Sequence, residues 1–378
     1  MRVVIAPDKF KGSLTAAEVA EALAAGMRDV LPGLETIMLP VADGGDGTIA
    51  AALSAGFAKI IVDAVGPTGE RVQAPYALDG DQAVVELAAV VGLSMLPGGR
   101  LDPLGSSTYG LGMVIADAIR RGATTIVLGL GGSASTDGGA GMAQALGARL
   151  LDANGQDLPP GGGALAELAH LDFATLRATL DGVRIIVASD VDNPLLGPRG
   201  AAAVFGPQKG AGPQQVETLE QGLQHWSQLV SNATGRDDAA RPGAGAAGGT
   251  GFAALALLNA EIKPGIGEIL DLIEFDRRIV GADLVVTGEG SLDEQSLAGK
   301  APVGVARAAA KAGIPVVAVA GRLRLSPSQL REAGILAAHG LTDLEPDLDR
   351  CIANASSLLR RVGARIAKEW LDGSGVRS

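Results

Sequence analysis

Residues 126–147, IVLGLGGSASTDGGAGMAQALG, constrain the chain more than any other stretch. A β-branched apolar run empties into glycines and small hydroxyls and then into helix-competent sequence. Small residues let a backbone approach a ligand closely, and a loop that opens a helix presents N–H groups to it. The stretch reads as an anion-binding strand-loop-helix, and the first expectation is a phosphate site.

The remaining segments arrange themselves around that unit. RVVIA (2–6) reads as a buried strand, PDKFKGS as a loop, and TAAEVAEALAAGMRDVL as an amphipathic helix that Thr15 caps with Glu18 three residues on. TIMLPVA (36–42), the loop DGGDGT and an Ala-rich helix from about Ile49 repeat the pattern, so both loops are expected on one edge of a parallel sheet. From Ile60, alternation between Gly, Pro and Asp turns predicts antiparallel hairpins. A helix around 108–121 leads to the strand ATTIVL, LLDANGQDLPPGGG reads as turns, and VRIIVASDV (183–191) as another strand. The glycine-rich tract 235–251 reads as a flexible linker or a mobile loop over a site. Then come buried strands at 282–290 and 314–321, a short last strand in GILAAHGL, and one long terminal helix in DLDRCIANASSLLRRVGARIAKEWL. With 378 residues there is room for two domains. The expected class is α/β: a doubly wound parallel-sheet domain from residues 1–63 and 281–378, interrupted by a mixed α/β domain over 64–280.

A formal charge of −11 disfavours a nucleic-acid backbone as partner, and no apolar run is long enough for a membrane span. MRVVIAPDKF lacks the zones of a secretory signal, which makes the cytoplasm the expected location. Cys351 stands alone and reads as a buried, inert thiol; His170, His225 and His339 have no ligand spacing and read as structural or surface residues.

Candidate chemistry gathers in loops after strands. Lys9, Lys11 and Ser13 follow the first strand and precede a helix start, a place suited to a phosphate or carboxylate. Asp43, Gly44, Gly45 and Asp46 offer two carboxylates on a tightly folding backbone, available to Mg²⁺, a substrate hydroxyl or a lysine. In the central loop, Gly131, Gly132, Ser133 and Asp137 fit a dinucleotide fingerprint only formally, with Asp152 near the ribose-binding distance. Asp190, Asp192 and Asn193 supply oxygen ligands for a hard cation or a proton acceptor, with Lys209 downstream. Glu289 and Lys300 repeat the theme near the end of the chain.

Taken together, APDKFKGSLTA, PVADGGDGT, GLGGSASTDGGAGMAQALG, ASDVDNPLLGPRGAAAVFGPQKGA, GAAGGTGFA and GEGSLDEQSLAGKAPVGVA closely resemble the glycerate kinase family of bacteria. The resemblance implies ATP-dependent, Mg²⁺-dependent phosphorylation of D-glycerate. It also implies a flavodoxin-like domain interrupted by a second α/β domain, with the site in the cleft. It is similar to the group that forms 2-phosphoglycerate; transfer to the 3-hydroxyl is the alternative within the same class. An NAD-linked hydroxy-acid dehydrogenase and a non-catalytic carboxylate sensor are the readings outside it. Phosphoryl transfer asks for positioning and charge neutralisation. On that basis Lys9 and Lys11 are expected to hold the phosphate or the glycerate carboxylate, Gly131 to Ser133 to form a cradle of N–H groups, and Asp190 to act as base. Asp192, Asn193 and Glu289 are the Mg²⁺ or water-shell candidates. The expected partners are D-glycerate and ATP, with self-assembly into a homo-oligomer compatible with the sequence.

Overall fold

The structure is a computed structural model that describes residues 1–372. In chain order its strands are β1 (Arg2–Pro7), β2 (Glu35–Met38), β3 (Ala58–Val65), β4 (Arg71–Asp79), β5 (Gln82–Glu86), β6 (Thr125–Gly129), β7 (Arg149–Leu151), β8 (His170–Asp172), β9 (Arg184–Ala188), β10 (Glu261–Lys263), β11 (Leu284–Leu292), β12 (Val316–Leu323) and β13 (Ala337–Gly340). The described chain divides into two compact units, one of residues 1–43, 50–55 and 264–372, the other of 44–49 and 56–263. The boundaries therefore fall near 56 and 264, where 63 and 280 were expected. β3 pairs along its whole length with β4 and so goes with the second unit, whereas Ile266, Ile269 and Phe275 join the core around β11 and go with the first.

The first unit is a five-stranded, all-parallel sheet in the order β13-β12-β11-β1-β2, the doubly wound arrangement of flavodoxin-like folds. Its strands are continuous apolar runs because both faces are covered: Val4 and Val285 belong to one apolar core, Val3, Ile5 and Val286 to another. β2 stops at Met38 because Pro40 has no N–H to give, yet the Leu39 and Val41 amides still donate to the Ile5 and Pro7 carbonyls at 2.9 Å. The expected strand at 36–42 is thus real in its pairing. Helix Ala16–Val30 begins as predicted, with Thr15 and Glu18 forming a reciprocal capping box. It packs on helix Ala355–Trp370 through two glycines: a Cβ on Gly26 would collide with the Arg360 carbonyl, and one on Gly363 with the Leu23 carbonyl. The single terminal helix expected from the sequence is two, Leu348–Ala353 and Ala355–Trp370. Asn354 breaks it at φ −107°, its side-chain amide donating to the Arg350 carbonyl.

The second unit carries a six-stranded sheet, β10-β9-β6-β5-β4-β3. β5, β6, β9 and β10 run parallel, while β3 and β4 form the predicted antiparallel part. The register aligns Glu86, Gly129, Ala188 and Lys263 across four neighbouring strands, so everything that follows them leaves from one carboxyl edge. Of residues 235–251, those from 243 to 251 are packed and not a linker, all buried except the half-buried Ala247, while 235–237 and 240–242 lie at the surface. Gly248 and Gly249, at φ +67° and +89°, begin a buried segment whose Gly248 carbonyl accepts from the Gly138 amide at 3.0 Å. A Cβ on Gly248 would collide with the Ser135 carbonyl, which is why this tract is made of small residues.

Candidate active site

In the first unit, the chain leaves β1 toward β2 on one side and later returns to β11 on the other, so the carboxyl ends of β1 and β11 flank the topological switch point where α/β sheets take ligands. Pro7 lies opposite Gly288, which makes the next residues, Asp8 and Glu289, neighbours; both are more than nine-tenths buried. Burial pushes the Glu289 carboxyl up to about 7, Asp8 and Asp293 push the same way, and the Ser296 hydroxyl, which donates to it, and Lys300 oppose. The Lys9 ammonium stands 3.9 Å from Asp8. Lys11, Ser13 and Lys300 line a cavity of about 350 Å³ together with Arg322, and the Ser13 hydroxyl donates to the Ile352 carbonyl at 3.1 Å.

In the second unit, β6 runs out into the glycine loop as predicted. Among the described residues the amides of Gly131, Gly132 and Ser133 donate to no backbone carbonyl. Gly132, at φ +72°, is the exposed apex. The neighbouring amides are anchored: Leu93 donates to the Gly132 carbonyl at 2.9 Å and Ala134 to the Val91 carbonyl at 3.0 Å. Lys209 supports the loop while only 2 % exposed; its ammonium donates to the Ser133 hydroxyl at 3.2 Å and to the Ser135 carbonyl. Burial lowers its pKa to about 7, and Asp137 opposes that shift. The Asp137 carboxylate accepts from the amides of Thr108, Gly139 and Gly141 and the hydroxyls of Thr108 and Ser107. With five donors on it, Asp137 shapes the loop from inside and has little left to offer a ligand.

The loop after β2 is split, Asp43 belonging to the first unit and Gly44 to Ile49 to the second. Its second half is held by a residue that the sequence did not single out. The buried Glu86 carboxyl, at the end of β5, accepts from the amides of Gly47 at 2.9 Å and Ile49 at 3.1 Å, and hydrogen-bonds Asp46. Burial outweighs those amides and pushes it up to about 7. Gly45 packs beneath Gly131, where a Cβ would come within 2.9 Å of the Gly45 Cα. Asp190 stands exposed just past β9, on the strand next to β6. Asp192 is exposed and paired with Arg199 at 3.2 Å, and the Asn193 side-chain amide donates to the Arg199 carbonyl at 2.8 Å.

The glycerate kinase family model matches residues 3–371. The chain belongs to the glycerate kinase family. It is 44 % identical to a glycerate kinase of Halalkalibacterium halodurans and 42 % identical to glycerate 2-kinase of Escherichia coli K12, each over 97 % of both chains. A solved structure from Salmonella typhimurium LT2, described as glycerate kinase 2, superposes with a TM-score of 0.85 at 40 % identity, covering 97 % of each chain. The chain is therefore of a phosphotransferase family, and its α/β fold is that of a family structure.

For this glycerate kinase relative, the dinucleotide reading of the central loop lacks its structural context. β7, the next strand after the loop, pairs with β8 and not with the main sheet, and the Asp152 carboxylate closes a turn by accepting from the Asn154 and Gln156 amides. Among the described residues no group of three or more His, Cys, Asp or Glu side chains could hold a metal. Mg²⁺ at a nucleotide needs only one or two carboxylates, the phosphates and water completing its shell. Glu289 fits that pattern: a buried acid beside a second acid, Asp8, is a charge problem that a divalent cation relieves. Cys351 is buried, its thiol pushed up by burial, as the sequence suggested. No helix among the described residues is long and apolar enough to cross a membrane.

Proposed function

We propose that this chain transfers the γ-phosphoryl group of ATP to the 2-hydroxyl of D-glycerate, yielding 2-phospho-D-glycerate. The observation that carries the reading is the pairing of open amides at Gly131 to Ser133, on the carboxyl end of β6, with a carboxylate, Asp190, at the same end of the neighbouring strand β9. That is the inventory of phosphoryl transfer, an anion cradle with a proton acceptor beside it. ATP with Mg²⁺ supplies the phosphoryl group and a cation that neutralises its developing charge.

The residues then take these roles. Asp190 accepts the proton of the attacking hydroxyl. The Gly131 to Ser133 amides orient the anionic group, with Lys209 and Asp137 fixing the loop that carries them. Lys9, Lys11 and Lys300, with Ser13, hold phosphate or carboxylate oxygens, and Asp43 and Asp46 orient the hydroxyls. Glu289 would hold a cation in the first unit, and Asp192 and Asn193 are the candidate oxygen donors of the second. The 2-phospho product is supported by the 42 % identity to a protein named glycerate 2-kinase. ATP as donor suits a cytoplasmic location.

The test is ATP consumption with D-glycerate and Mg²⁺, the product resolved by phosphorus NMR. A 2-phosphoglycerate resonance is expected. A 3-phosphoglycerate resonance overturns the regiochemistry, and glycerate binding without ATP consumption overturns the reaction in favour of a sensor.

A further inference from the structure

We propose that the cavity at the switch point of the first unit is the seat of the adenine nucleotide, the base lying against apolar side chains and the phosphates running to three cations. The proposal rests on the kinase reading for the identity of the donor, and to the motif residues Lys11 and Lys300 it adds Arg322, Leu348 and Ile352, which lie outside every motif.

The lining of the cavity is of two kinds. It carries the cations Lys11, Lys300 and Arg322, with no carboxylate among the described residues that line it. It also carries the apolar side chains Phe10, Leu341, Leu348 and Ile352. Leu348 and Ile352 lie four residues apart on helix Leu348–Ala353, hence on one face, and are 45 % and 41 % exposed. Single exposed aliphatics are ordinary, but an aligned pair at the mouth of a cavity that also holds three cations is a surface waiting for a ligand with a flat apolar part and an anionic part.

Size and chemistry decide between the two reactants. At about 350 Å³ the cavity lies within the usual range for small-molecule sites, about 300–1,000 Å³. Glycerate is a three-carbon acid with an oxygen on every carbon. It has no apolar face to bury against Leu348 and Ile352, and desolvating its hydroxyls there would cost without return. A purine has two such faces, and its triphosphate matches three cations. Lys300 is the N-cap of helix Ala301–Lys311, so the phosphate end of the cavity also meets the positive end of a helix. Glu289 adjoins Gly290, another lining residue, so a cation on the phosphates would be within the same neighbourhood.

The test uses the full-length protein and the fluorescent probe methylanthraniloyl-ADP, displaced by ADP, with Ile352→Glu and Arg322→Gln as variants of the two kinds of lining. Ile352 is a surface side chain, so Glu is tolerated sterically while it places a carboxylate where the base would lie; circular dichroism melting verifies both folds. We expect at least tenfold weaker ADP binding in each variant, with KM for D-glycerate within twofold of the parent. Unchanged ADP affinity in both variants overturns the proposal, and so does a rise in the glycerate KM with ADP affinity intact, which would give the cavity to the acid. The failures are distinguishable. Weakened ADP binding in a protein that never phosphorylates glycerate upholds the cavity and overturns the kinase reading; normal 2-phosphoglycerate formation with ADP affinity unmoved in both variants does the reverse.

Discussion

Lys209 is a cation with almost no solvent, held beneath the glycine loop by the Ser133 hydroxyl and the Ser135 carbonyl. Burial lowers its pKa from 10.5 to about 7, so between those values the unfolded chain binds more protons than the folded one, and the contribution of Lys209 to stability rises with pH across that window. Below about pH 7 both states are protonated and the contribution is constant. Lys209→Met should therefore lose ground to the parent as pH climbs from 7 to 10, read as a rise in the parent's melting temperature minus the variant's; a difference that stays flat or falls would remove the buried-lysine account. Asp190 is the opposite kind of residue, exposed at a strand end. Asp190→Asn is expected to lower kcat by about 10²–10⁴-fold, the usual worth of a general base, while circular dichroism still shows a folded protein. Near-parental turnover would remove Asp190 from the base role.

At the scale of elements, two glycine-rich segments hold each other in shape: the loop 130–139 and the turn at 247–249 that opens helix Ala246–Leu257. Gly248 combines φ +67° with a position where a Cβ would collide with the Ser135 carbonyl and lie 2.9 Å from the Lys209 ammonium. Gly248→Ala should cost about 1–2 kcal/mol for the left-handed backbone and about 1–3 kcal/mol for overpacking, measured by urea denaturation, and should depress activity by displacing the cradle. A loss under about 0.5 kcal/mol, the range of a neutral surface change, would mean that the turn is not packed as described. The longer strands and the loops after them were legible in the sequence, because buried parallel strands are continuous apolar runs and turn residues punctuate them; the three-residue strands β7, β8 and β10 were not, being too short to show a pattern, and β7 overlaps a stretch that reads as turns. The packed role of residues 243–251 was not legible either, since the same glycines serve a linker and a close backbone contact, and only the partner distinguishes them. Glu86 was hidden for a related reason. It ends an apolar strand like any polar terminus, and its partners, the amides of Gly47 and Ile49, lie about forty residues earlier in the chain. Asp137 stands in the motif and reads as a ligand, but its five donors come mostly from residues 107–108, which no spacing rule connects to it.

The described residues form three buried apolar clusters, one inside the second unit and two inside the first. One buried cluster runs from Ala64 to Ala260 and belongs wholly to the second unit. The other two combine residues from both chain ends, as where Val3, Leu23 and Met27 share a cluster with Leu358, Leu359 and Ile366. This division was foreseeable, because the strand texture of the first residues returns after 280. Its exact seams were not, because they depend on which sheet β3 joins and which core Ile266 and Ile269 enter. Separate cores predict separable melting. Leu359 and Leu128 are both fully buried, and truncating such a leucine to alanine costs about 2–5 kcal/mol. In differential scanning calorimetry, Leu359→Ala is expected to lower the transition of the unit built from the chain ends while leaving the other in place, and Leu128→Ala to do the converse. Each of those clusters excludes every residue of the other unit, so a cavity in one removes contacts from that unit alone. If both variants instead shift one common transition equally, the two interiors melt as a single cooperative body, and the coupling between them exceeds the cost of either cavity.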